Sequence, residues 1–149
     1  MSVQKLKHSV IIEVPFFDVD SMEIVWHGHY VKYMELARCA FLKQLNYDYD
    51  VMKQHGYGWP IVQLQLKYIR PAQFGQKIRV EVTLKEYESC LKFDYLITDV
   101  DSGQKLSKAS TMQMVVKIEG METQFQTPLS FRQKIDKALL EGIDAGASA

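Results

Sequence analysis

No sign of charge prevails in this chain of 149 residues: Lys plus Arg and Asp plus Glu stand at 18 each. Without a global field to draw in nucleic acid or an anionic membrane, any anion site has to be local, and neither of those partners is expected. Cysteine is scarce. Cys39 and Cys90 lie far apart in apolar surroundings, without CxxC or CxxH spacing, which points to reduced, buried thiols and away from a disulfide scaffold or a zinc site. Long apolar runs are missing too, since no stretch approaches the ~18 residues of a membrane span. The basic opening "MSVQKLKHSV" is not followed by the apolar region of a secretory leader, so the expectation is a soluble, unexported protein of the cytoplasm. The chain also lacks a Gly-x-Ser-x-Gly nucleophile elbow, an internal repeat and a low-complexity linker. What is there is 47% apolar residues, enough for the core of a single domain over 1–149.

"HSVIIEVPFF", His8 to Phe17, is β-branched and aromatic with partial alternation, and reads as a first strand ending near Pro15 or Phe17. From His29 the apolar positions Tyr30, Met34, Ala37, Phe41 and Leu45 recur at steps of three or four, which predicts one long helix over 29–46. "NYDYDVMKQHGYGWP" carries Asn, Asp, Gly and Pro around a short apolar patch and reads as a connector with room for one helical turn. Beyond Pro60 four alternating segments follow: "IVQLQLKYIR", "QKIRVEVTLKEYE", "CLKFDYLITDV" and "KLSKASTMQMVVKIE". Their breaks, among them the Asp101-Ser102-Gly103 turn, predict antiparallel pairing of the last strands. "TPLSFRQKIDKALLEG" sets Thr127 as N-cap with Pro128 at the first helical position, so a short C-terminal helix closes the domain, with a tail from about 142 to 149 that frays. A helix with so wide an apolar girth needs burial on more than one side. One curved antiparallel sheet wrapped around it supplies that, and the expected class is α+β.

"FFDVDSMEIVWHGHY", Phe16 to Tyr30, gathers Asp18, Asp20, Glu23, His27 and His29 between aromatic residues. A metal site, a catalytic carboxylate site and a capped helix start all suit such a set. His-x-His chelates when alternate residues share a strand face, whereas this pair straddles a helix start, so neither a metal nor an organic cofactor is expected. A carboxylate in such a segment acts as nucleophile or as base on water when donors for a developing oxyanion stand beside it. The helix beginning at "HGHY" presents unpaired N–H groups and the positive end of its dipole. Gly28 admits close approach to that backbone. A structural role stands beside each chemical one. Asp18 and Asp20 also suit capping or a turn, His27 either orients water and polarises a carbonyl or is structural, and Glu35 is either a base or a buried i+3 partner of Arg38.

On these residues the sequence resembles the acyl-CoA thioesterases of the hotdog fold, specifically the 4-hydroxybenzoyl-CoA thioesterase and YbgC-like group. The resemblance covers nearly the whole chain. It rests on "FDVDSMEIVWHGHYVKYMELAR", with Asp18, Asp20, Ile24, Val25, Trp26, His27, Tyr30, Glu35, Ala37 and Arg38, followed by "GYGWPIV" and "YIRPAQFGQKIRV" in the family's order. It implies a hotdog fold with Asp20 as the catalytic carboxylate, Asp18 and Glu35 in support, and His27 at the site. It implies an oxyanion hole from the backbone N–H groups of Trp26, His27 and Gly28. Two departures stand out. Ser21-Met22-Glu23 occupies a turn where many relatives carry Pro-Ala-Gly or Ala-Gly-Gly, and His29 replaces a common Asn. The implied substrate is an acyl-CoA, with an acyl-carrier-protein thioester as an alternative. Tyr57 and Trp59 are candidates for the acyl channel, and Lys67 and Arg70, with Lys77 and Arg79 nearby, for the phosphates of coenzyme A. Core aromatics and solvated strand charges are the competing readings of those six. The family's assembly implies a homodimer, with a dimer of dimers beyond it, and open sheet edges favour such pairing. The other activities found on this fold, a dehydratase and a non-catalytic acyl-binding module, are the alternatives.

Overall fold

The structure is a computed structural model that describes residues 6–146. Its elements run β1 (Lys7–Glu13), α1 (His29–Gln44), α2 (Tyr49–Gln54), β2 (Tyr57–Gly58), β3 (Ile61–Tyr68), β4 (Lys77–Glu86), β5 (Leu91–Asp99), β6 (Lys105–Gln113), β7 (Val115–Lys117), β8 (Glu122–Gln124) and α3 (Leu129–Glu141). Alternation builds the sheet. Along β4, Ile78, Val80, Val82 and Leu84 are buried while Arg79, Glu81, Thr83 and Lys85 take the other face, as a two-residue period requires. Leu91, Phe93, Tyr95 and Ile97 repeat the pattern in β5. Five antiparallel strands pair in the order β1-β4-β5-β6-β3, with Val10 opposite Val80 and Val80 opposite Ile97. The buried stripe of α1, including Tyr33, Met34, Ala37, Phe41 and Leu42, covers this apolar face. Phe41 meets Phe93 edge to face at 5.1 Å, and each such buried side chain stabilises the fold by about 2 kcal/mol.

The first strand stops at Glu13 because Pro15 offers no N–H to the ladder, and Phe16–Asp18 closes into a 3-10 turn. The fourth alternating segment divides at Met114, whose N–H goes to Pro60 O at 3.2 Å. β6 stays in the main sheet, and β7 joins β2 and β8 in a second one. The connector holds more than a single turn: α2 has six residues, capped by Asp48, whose side chain accepts the Val51 N–H at 3.1 Å. Thr127 is not the cap of α3. Its hydroxyl donates to the carbonyls of Tyr87 and Glu88 at 2.6 and 3.1 Å, and Pro128 holds the cap position instead.

The tail also departs from expectation up to Gly146. The Ser9 N–H donates to Ala145 O at 2.9 Å, and a parallel bridge joins Ser9 to Gly146. His8 Nδ1 lies 2.7 Å from Asp144 O. Residues 144–146 therefore lie along the outer side of β1 where fraying was expected, and 147–149 fall outside the described residues. At the opposite end of the main sheet β3 is an edge strand. Cys90 is buried as expected, Cys39 only half-buried, and both are free thiols whose pKa burial raises. Among the described residues no helix is long and apolar enough to cross a membrane.

Candidate active site

The segment between β1 and α1 folds into a small hairpin with Asp20 at its shoulder. Val19 and Val25 form an antiparallel bridge, the Asp20 N–H donates to Ile24 O at 2.9 Å, and the Glu23 N–H returns to Asp20 O at 2.9 Å. Glu23 takes a left-handed backbone with φ 62°, the conformation glycine adopts at least cost. The turn thus keeps the shape a glycine would favour with Glu23 in its place. A second support comes from the turn after β3. The Val25 N–H donates to Ala72 O at 2.8 Å, the Phe74 N–H to Glu23 O at 3.1 Å, and the Ala72 N–H to the buried Tyr30 hydroxyl at 3.1 Å.

Asp18 anchors the hairpin to α1. Its carboxylate is 1% exposed and accepts from Lys32 Nζ at 2.7 and 2.8 Å and from the Tyr33 hydroxyl at 2.6 Å. His29 Nδ1 stands 3.6 Å from it. Burial pushes this carboxyl up, but hydrogen bonds from Lys32 and Tyr33 and the Lys32 and His29 charges outweigh burial, so it lies below its ordinary value. Burial and the Asp18 bond raise the Tyr33 phenol, which keeps it a donor. Asp20 is different. It is exposed, and one carboxylate oxygen accepts the Met22 N–H at 2.8 Å. That bond is its side chain's only partner among the described residues.

The start of α1 supplies two free donors, not three. The Trp26 N–H is held by Asp18 O at 3.0 Å, which removes it from the expected oxyanion hole. The N–H groups of His27 and Gly28 have no partner among the described residues. A Cβ at Gly28 would overlap the ring end of the half-exposed Trp26 indole, so a side chain there would displace that ring. In front of this backbone lies a cleft of about 400 Å³ lined by Asp20, Ile24, Val25, Trp26, His27, Tyr30 and the Tyr68–Pro71 segment. Tyr30 and Tyr68 meet edge to face at 5.2 Å.

The cleft brings together Asp20, Trp26, His27 and Arg70 of the residues singled out in the sequence. It leaves the others elsewhere. Lys67 lines a groove on the sheet with Lys105 and Lys108. Tyr57 sits in β2 opposite Lys117, and Trp59 is buried against Phe131 with ring centroids 5.0 Å apart. Glu35 is not buried; its carboxylate is 3.6 Å from the guanidinium of buried Arg38. Lys32, Tyr33, Tyr30 and Tyr68 were not anticipated as site residues. Lys32 and Tyr33 sit on the first turns of a helix that follows a carboxylate, a readable hint once Asp18 is known to be buried. Among the described residues no group of three or more His, Cys, Asp and Glu is placed to hold a metal ion.

An α+β domain whose helix covers an antiparallel sheet, with a carboxylate hairpin at the helix start, is a hotdog fold of the thioesterase kind. The family model described as the Thioesterase-like superfamily matches residues 14–139, and the chain belongs to that superfamily of enzymes. It is 28% identical over 123 residues to YneP of Bacillus subtilis, which carries the provisional name of an acyl-CoA thioesterase, covering 82% of this chain and 85% of that one. Among solved structures, Slr0204 of Synechocystis, a 1,4-dihydroxy-2-naphthoyl-CoA thioesterase, superposes with a TM-score of 0.79 at 18% identity, over 87% of this chain and 96% of its own. A 4-hydroxybenzoyl-CoA thioesterase mutant complexed with 4-hydroxybenzoyl-CoA gives 0.77 at 15% identity, over 87% and 99%. At such identities the two structures speak for the fold.

Proposed function

We propose that the protein is an acyl-CoA thioesterase that hydrolyses a thioester to free acid and coenzyme A, with Asp20 as the reacting carboxylate. The cleft supports this reading: the exposed Asp20 carboxylate, one of whose oxygens has no partner among the described residues, and His27 both line it, and the His27 and Gly28 N–H groups are likewise without a partner among the described residues. A thioester carbonyl oxygen held by those two donors gains stabilisation as its charge develops. Asp20 then either attacks the carbonyl carbon, giving an anhydride that water opens, or takes a proton from the attacking water. In both cases the C–S bond breaks and the thiolate leaves. His27 lines the same cleft and serves to polarise the carbonyl or orient water. Arg70, at the cleft, takes a coenzyme A phosphate.

The active unit in this reading is a homodimer joined through the β3 edges, along which Ile61, Val62, Tyr68 and Ile69 are exposed, since a bare edge strand invites pairing. A monomer with full specific activity, seen by light scattering across a dilution series, would contradict that part. The chemistry is tested by Asp20→Asn, which removes charge at nearly constant shape. It should lower kcat on acyl-CoA substrates by about 10²–10⁴-fold. A folded Asp20→Asn protein that keeps most of its kcat overturns the assignment.

A further inference from the structure

The two edges of the main sheet are finished differently. At the ends of β1 the Val14 N–H donates to Gln76 O at 2.9 Å and the Leu84 N–H to Leu6 O at 3.1 Å. The even-numbered backbone groups of β1 therefore face β4, and the odd-numbered ones, at Lys7, Ser9, Ile11 and Glu13, face outward. Residues 144–146 lie on that outward row. Ala145 O accepts the Ser9 N–H at 2.9 Å and the Ser9 hydroxyl at 3.4 Å, Gly146 bridges Ser9 in parallel, and Asp144 O accepts from His8 Nδ1 at 2.7 Å. At the other edge β3 pairs with β6 alone. Among the described residues no backbone hydrogen bond or isolated bridge reaches the outward groups of β3.

The seat on β1 is shaped for this segment. Gly146 has φ 87°, and its N–H donates to Asp144 Oδ1 at 2.9 Å. A Cβ there would collide with the Ser9 carbonyl oxygen and press on the His8 ring. Glycine is thus required twice, for its backbone conformation and for its closeness to β1. The two β1 residues that it and its neighbours touch, His8 and Ser9, are buried, while Ile11 on the same row is exposed.

Without the segment β1 would suit a second β1. Antiparallel pairing about Val10 sets Lys7 of one copy opposite Glu13 of the other and Ser9 opposite Ile11, and opposite charges across a strand pair stabilise it. Two chains joined through β3 carry a β1 at either end of the combined sheet, so β1 pairing as well would add copies one after another in an open row. Such a row ends where an edge is shut. We infer that residues 144–146 are a strap that shuts the β1 edge to a second copy of this chain and confines strand pairing to β3. The confinement to β3 rests on the paired β3 edges proposed above, whereas the shut β1 edge needs neither that pairing nor the thioesterase reading.

The test removes the strap in two ways, by ending the chain at Ile143 and by Gly146→Val. Mass is read by light scattering across a dilution series, with circular dichroism as the check on folding. Each strapless form should keep its circular dichroism and exceed the unaltered protein in mass by about twofold or more at the highest concentration. Adding Ile11→Lys, which puts a charge on the opened edge, should return both forms to the unaltered mass. Strapless forms that match the unaltered protein at every concentration overturn the inference. Added mass that survives Ile11→Lys does so too, because it comes from a surface other than β1, and a strapless chain that loses its circular dichroism assigns the segment to holding the fold instead. The two levels separate in the same data. A dimeric protein whose strapless forms stay dimeric keeps β3 pairing and sinks the strap, while a monomeric protein whose strapless forms dimerise, reversibly by Ile11→Lys, keeps the strap and sinks β3 pairing.

Discussion

Asp18 and Asp20 stand on either side of Val19 and live in opposite surroundings. Asp18 is buried and fully bound by Lys32 and Tyr33, while Asp20 is exposed at a cleft with one oxygen turned to a single backbone N–H. The difference teaches how one short segment carries both a fastening and an exposed carboxylate, the one to which the proposed function gives the reaction. A carboxylate in the interior persists only with a cation and a donor against it, because unpaired it costs several kcal/mol. The Asp18 network is that arrangement, and its backbone carbonyl also holds the Trp26 N–H at 3.0 Å. The hairpin is thereby closed at its base, and the Asp20 side chain adds to it only the bond it accepts from the Met22 N–H.

The largest effect expected from breaking the contrast is at Lys32. Lys32→Met leaves Asp18 buried with its cation gone, and should cost about 2 kcal/mol in urea unfolding, less than a fully buried pair because Lys32 is partly in solvent. A loss under about 0.5 kcal/mol would show that Asp18 is not held this way. Acid sharpens the comparison further. Because the folded state lowers the Asp18 pKa, the unfolded chain takes up that proton first as pH falls. The stability Asp18 contributes is full above its ordinary value of 3.8 and disappears as pH drops through the lower folded value. Urea midpoints followed into that range should fall more steeply for the unaltered protein than for Asp18→Asn. Parallel curves would assign the acid sensitivity to other carboxylates. The smallest effect is at the tip. Glu23→Gly relieves the left-handed backbone and should stabilise the protein by about 0.5–1 kcal/mol with kcat within about twofold, a destabilised variant being the contrary result.

Much of the frame was legible because it depends on local period. The steps from Tyr30 to Phe41 marked α1, and alternation through β4 and β5 marked the buried face, since one-sided burial leaves its signature in the residues themselves. The Asp-x-Asp segment ahead of α1 stood out as a candidate site by its clustered titratable groups and its family resemblance and not by any period. What escaped was set by contacts between distant segments. Nothing near Thr127 announces that its hydroxyl turns to Tyr87 and Glu88, and a tail of Asp144, Ala145 and Gly146 has no pattern that foretells a seat on β1. The loss of Trp26 from the oxyanion donors depends on Asp18 O, a backbone atom any residue would supply. Lys67 and Arg70 look alike in sequence, and only strand geometry sends one to a groove on the sheet and the other to the cleft.

The most direct test is to measure kcat on an acyl-CoA and the thermal midpoint side by side for Asp18→Asn and Asp20→Asn. The division of roles predicts that Asp20→Asn loses about 10²-fold or more in kcat with Tm within about 2 °C of the unaltered protein, and that Asp18→Asn loses about 6 °C while its folded fraction keeps kcat within about tenfold. An Asp20→Asn protein that hydrolyses normally beside an Asp18→Asn protein that is folded and inactive would contradict it.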